Sequence, residues 1–87
     1  MAWKMDYAAS RKYAVESIRN FLDGTGGKWD WDDFISLPLR YPDLEEVQRF
    51  CNGLSETHPP VTRGWYCSEE GLLELRALLD DLESNRR

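Results

Sequence analysis

The sequence predicts an all-α fold, a small bundle of three main helices plus one short helix. Three observations lead there. Apolar residues recur at helical spacing in separate stretches of the 87-residue chain. Most of these stretches open on a residue suited to a helix N-terminus. Glycine or proline punctuates the junctions between them.

The first helix is expected over residues 7–23, where Tyr7, Ala14, Ile18, Phe21 and Leu22 share one side and Arg11, Lys12, Glu16, Arg19 and Asn20 lie mostly on the other. Asp6 or Ser10 suits its start, and Asp23-Gly24 its end, ahead of the turn Gly24-Thr25-Gly26-Gly27. A short helix of about two turns follows. Asp30 is its expected N-cap, Asp32 and Asp33 sit in the first turn, and Trp31, Phe34, Ile35 and Leu37 face the core. Pro38 disfavours helical geometry at Leu37 and closes it. The third helix is expected from Pro42-Asp43, with Asp43 and Glu46 at capping-box spacing and Leu44, Val47, Phe50 and Cys51 on one face. Asn52-Gly53 reads as its stop, and residues 54–66 as a loop around His58-Pro59-Pro60. Within this region there is room for a short extended segment near residues 61–67, with Trp65 and Tyr66 packing onto the helices. Ser68 caps the last helix, in which Leu72, Leu75, Leu79 and Leu82 repeat at helical spacing and Leu73 and Leu78 widen the stripe.

Length and composition narrow the function. With 41% hydrophobic and 31% charged residues the composition is globular, and 87 residues suit a single domain over 1–87 with one modest core. Net charge is −5, unevenly spread. Residues 1–28 hold five basic and three acidic groups, residues 29–56 two and seven, and residues 69–83 one and six. Such acidic surfaces repel phosphate backbones, so a nucleic-acid partner is not expected, whereas a basic protein is attracted. No apolar run approaches the length that spans a bilayer. The opening Met1-Ala2-Trp3-Lys4-Met5-Asp6 lacks the apolar stretch of a signal peptide. The expected setting is therefore the cytoplasm, with no membrane partner and with Cys51 and Cys67 reduced.

Four stretches invite a chemical reading. Three carboxylates in Trp29-Asp30-Trp31-Asp32-Asp33-Phe34 are oxygen ligands of the kind a divalent cation takes. The pattern fails as a calcium loop, because Lys28 stands where glycine is needed and Phe34 where the bidentate glutamate belongs. Helix capping and core packing account for the same residues. Gly24-Thr25-Gly26-Gly27-Lys28 lacks the spacing of a phosphate loop and reads as a helix stop. Cys51, His58 and Cys67 are zinc-type ligands or a Cys–His nucleophile pair in principle, but they lack the close cysteine pairs of structural zinc sites. No cofactor motif and no catalytic residue is identified. The fourth feature is the surplus of aromatics, too many for so small a core. Trp and Tyr concentrate at binding hot spots, and acidic neighbours around them suit a basic partner. The candidate partner-binding residues are Trp29, Trp31, Asp32, Asp33 and Trp65.

The stretch from Phe21 to Leu79 carries Phe21-Leu22-Asp23-Gly24-Thr25-Gly26-Gly27, Trp29-Asp30-Trp31-Asp32-Asp33-Phe34, Pro38-Leu39, Asp43-Leu44-Glu45 and Tyr66-Cys67 before a Leu-rich helix. In this pattern the chain resembles a loosely defined group of small bacterial proteins. The resemblance covers about two-thirds of the chain; it implies a bacterial cytosolic setting and brings no activity or site with it. By size and acidity, though not by motif, the chain is also similar to many toxin-immunity proteins. The leading expectation is a small acidic protein-interaction module, an immunity- or antitoxin-like inhibitor of a basic partner. The alternative is a metal-binding or enzymatic protein using Asp30, Asp32 and Asp33, or Cys51, His58 and Cys67. Self-association as a homodimer through an apolar helix face is a further expectation.

Overall fold

The computed structural model describes residues 6–25 and 30–84, and within these four helices follow in order: α1 (Tyr7–Asp23), α2 (Asp30–Ser36), α3 (Pro42–Thr57) and α4 (Glu69–Glu83). The all-α bundle read from the sequence is the fold observed. Helix α1 packs against the other three, α3 packs against both α2 and α4, and α2 and α4 are not neighbours.

Each helix end has a local cause. The Asp6 carboxylate accepts the Ala9 N–H at 2.8 Å and opens α1. At the other end Gly24 takes a left-handed conformation (φ 71°), and Thr25 donates back to the Asn20 carbonyl at 3.0 Å. Among the described residues α2 begins at Asp30, so Asp30, Asp32 and Asp33 all lie in its first turn, at the positive end of the helix dipole. Pro42 begins α3 after an extended Tyr41 that makes no side-chain cap bond. The N-cap of α3 is Tyr41 and not Asp43, whose carboxylate, inside the first turn, accepts the Tyr7 hydroxyl at 2.5 Å. Ser68 Oγ accepts the Gly71 N–H at 3.3 Å and caps α4.

Helix α3 does not stop at Asn52-Gly53 but runs to Thr57. The reason is the apolar stripe: Leu54 lies one turn beyond Cys51 and is fully buried, so packing outweighs the weak helix preference of Gly53. Pro59 then forbids continuation. The connection back to α4 forms no strand. Trp65 donates to the Thr62 carbonyl across a turn containing Gly64 at φ 91°, and Ser68 N–H bonds the His58 carbonyl at 2.9 Å.

The core joins Ala14 and Ile18 of α1, Phe34 of α2, Leu44, Val47, Cys51 and Leu54 of α3, and Leu75, Leu78, Leu79 and Leu82 of α4. Leu39 and Cys67 enter it from the connections. Between Leu39, pointing in, and Tyr41, partly buried, Arg40 adopts φ 68°, a left-handed conformation that is uncommon for a residue with a Cβ. Leu37, expected to face the core, is exposed just past the end of α2, and Tyr7 lies at the rim with its ring edge-on to Tyr41, 5.2 Å between centroids.

Among the described residues two polar side chains are buried, Ser10 of α1 and Gln48 of α3. Gln48 follows Val47 on the apolar face of α3 and is only 6% exposed. Its amide nitrogen donates to the Phe34 carbonyl at 2.6 Å and to the Leu37 carbonyl. Helices leave their last carbonyls without internal partners, and Gln48 supplies one to α2 from the neighbouring helix.

Candidate functional site

A groove with a volume of about 590 Å³ runs between α1 and α2. Helix α1 contributes Tyr13, Glu16, Ser17 and Asn20, which recur at three- and four-residue spacing and so share one face. Phe21 and Gly24 close that wall. Helix α2 contributes Asp30, Trp31, Asp32 and Asp33. Four carboxylates therefore border the groove, and among the described residues no Lys or Arg lines it.

Aromatic rings form the floor. Trp31 stacks on Phe21 at 4.1 Å with planes 19° apart. Tyr66 stands edge-on to both, at 5.9 Å and 5.7 Å. Phe34 meets Trp31 at 5.5 Å, and Tyr13 meets Phe34 edge-on at 5.8 Å. Offset and edge-on pairs of this kind hold aromatic clusters beyond what area burial gives. The Tyr66 hydroxyl donates to the Cys51 carbonyl at 2.8 Å, fixing the ring to α3. The Trp31 indole nitrogen is buried and makes no hydrogen bond of ordinary geometry, although it lies close enough to the Tyr66 hydroxyl to favour its ionised form.

The field in the groove is negative. Burial pushes the Tyr13 phenol above its ordinary pKa, and Asp33, with a smaller share from Asp30, pushes it further; a bond from Ser17 opposes them. Burial likewise raises Tyr66, against bonding from Ser55 and Trp31.

The candidate binding residues are only partly gathered here. Trp31, Asp32 and Asp33 line the groove. Trp29 lies outside the described residues. Trp65 is 47% exposed on the α3–α4 connection and does not line the groove, while its neighbour Tyr66 packs down as expected. Glu16, Ser17 and Asn20 were not singled out from the sequence. The available signal was their shared helical face, polar throughout.

The other constellation is dispersed. Cys51 is fully buried in the core, and burial pushes its thiol up to about 12. Cys67 is also buried and its thiol raised by the same cause, so neither sits in the electropositive setting that activates a nucleophile. His58 is turned to the side of α4, with Nε2 2.5 Å from Glu74 and Nδ1 2.9 Å from the Thr57 hydroxyl. Among the described residues no group of three or more His, Cys, Asp or Glu side chains is placed to hold a metal ion. No helix among them is long and apolar enough to cross a membrane. No known protein family, curated protein or solved structure matches this chain.

Proposed function

We propose that this chain is a cytoplasmic protein-interaction module, of the immunity or antitoxin kind, whose α1–α2 groove receives a basic segment of a protein partner. One observation carries the reading: four carboxylates on two helices converge on a groove with an aromatic floor and, among the described residues, no cation in its lining. Charge of one sign in a concave site raises the local concentration of oppositely charged ligands and speeds their association. The aromatic floor gives an arginine or lysine stem apolar surface to lie on, with ring faces and edges nearby. Two buried, unpaired thiols suit a reducing compartment.

The test uses a short Arg- and Lys-rich peptide carrying a fluorophore, titrated by anisotropy at two salt concentrations. Binding is expected to weaken with salt, and Asp32→Asn with Asp33→Asn is expected to weaken it about tenfold, equivalent to about 1.4 kcal/mol. Binding of equal strength to the variant, with the fold intact by circular dichroism, rules the groove out as the site.

A further inference from the structure

A second concave surface lies on the other side of the bundle, between α3 and α4, and it differs in character from the first. Its volume is about 270 Å³. Its floor is aliphatic and aromatic: Val47 and Phe50 from α3, Ala77 and Leu78 from α4. Its rim is acidic, with Glu46 on one side and Glu74 and Asp81 on the other, and among the described residues no Lys or Arg lines it. The spacing follows from the helices. Glu74 and Asp81 are seven positions apart, two turns and about 10 Å along the α4 axis. Ala77 stands between them, and its single methyl leaves the groove open. The Glu74 carboxylate is held in place by His58, 2.5 Å away. One turn before Ala77, Leu73 is 67% exposed, so apolar surface continues past the groove into solvent.

We infer that this groove seats an amphipathic helix of a protein partner, one whose apolar stripe is flanked by lysines or arginines. Charge complementarity chooses this occupant. A groove between two packed helices accepts a third helix through side chains at three- and four-residue spacing. Basic residues two turns apart beside that stripe meet Glu74 and Asp81, and Glu46 faces the opposite flank. A second copy of this chain is a poorer match: its net charge is −5, and in its mildly basic stretch, residues 1–28, Arg11 is already bonded to the Leu82 carbonyl and Arg19 to Glu83 of the same chain. The inference stands apart from the α1–α2 groove, since the two surfaces share no lining residue.

The experiment uses the intact chain and a synthetic amphipathic peptide with a Leu stripe flanked by Lys, followed by two-dimensional NMR and by anisotropy. Shifts are expected at Phe50, Glu74, Ala77 and Asp81, and not at Glu16, Trp31 or Asp33. Ala77→Lys fills the groove and sets a positive charge between Glu74 and Asp81, at an exposed position that favours helix, so it is expected to weaken binding at least about tenfold with the fold unchanged. Asp32→Asn with Asp33→Asn is expected to leave this peptide's affinity intact, which separates failure here from failure at the first groove. Three results overturn the inference: the same peptide with Glu in place of Lys binding equally well, undiminished binding to Ala77→Lys, or a chain that sediments as a dimer and becomes a monomer on Ala77→Lys.

Discussion

Gly71→Ala and Gly53→Ala make the same chemical change inside two helices and are expected to move stability in opposite directions. A Cβ built at Gly71 falls 2.9 Å from His58 Cβ, 3.1 Å from Cys67 Sγ and 3.2 Å from Cys67 Cβ. None of these is the free end of a flexible side chain. Cys67 is buried, and the His58 backbone is pinned by its carbonyl bond to the Ser68 N–H. Overpacking of this kind costs roughly 1–3 kcal/mol. Exchange of glycine for alanine in a helix returns up to about 1 kcal/mol, and less in the first turn, where Gly71 sits. The net expectation is a loss of about 1–2 kcal/mol, or a Tm lower by roughly 5–10 °C for a domain of this size. A Cβ at Gly53 meets nothing within 4 Å, so that variant keeps the helix gain and is expected to be about 0.5–1 kcal/mol more stable. Urea and thermal unfolding followed by far-ultraviolet circular dichroism measure both. If Gly71→Ala matches or exceeds the wild type, the start of α4 yields freely, and the close approach to His58 and Cys67 is not a constraint.

Three further outcomes follow from the same structure. Gln48→Leu keeps the bulk but leaves the Phe34 and Leu37 carbonyls without their donor, so urea unfolding is expected to show a loss of about 1–3 kcal/mol. Ser68→Ala removes the α4 cap and is expected to cost about 1 kcal/mol in the same measurement. The Cys51 thiol, raised from near 9 to about 12, keeps its proton in the folded state at pH values where the unfolded chain has lost it. Its contribution is therefore fully present below pH 9 and is lost as pH rises toward 12, by up to about 1.4 kcal/mol per pH unit. Unfolding midpoints measured across that range are expected to fall, and to fall less in Cys51→Ala once each is referred to its own neutral-pH stability.

Most of the fold was legible because helix periodicity and end signals are local properties. The boundaries of α1 and α4 follow from Asp6, Gly24 and Ser68, each acting within a few residues of itself. Some misreadings involve distant residues and some are local. Gly53 looked like a stop because the burial of Leu54 depends on helices that the local sequence does not show. Leu37 looked like a core residue, but α2 ends one position before it and leaves it exposed. Asp43 makes a contact that no local rule shows, accepting the hydroxyl of Tyr7, thirty-six positions away. Only half of the acidic groove lay in one contiguous run, Asp30 to Asp33. Its other wall is a stripe on α1 that becomes a wall only when the Trp31–Phe21 stack brings the helices together. Gln48 left a trace that went unread: with Leu44, Val47 and Cys51 it completes a spacing in which every other member is apolar.

The Gln48 contact bears on how any message would leave the acidic groove. A seven-residue helix is too short to hold itself in water, so α2 relies on what grips it, including the buried Phe34 side chain, the Trp31 stack and the amide of Gln48. The last of these ends on the carbonyls of Phe34 and Leu37, at the C-terminal end of α2. A ligand that pulls on Asp32 or Asp33 is thus pulling against an anchor in α3, the same helix that forms one bank of the second groove. The set of the acidic wall thus depends on a side chain of α3, and amide exchange along α2 is expected to quicken in Gln48→Leu.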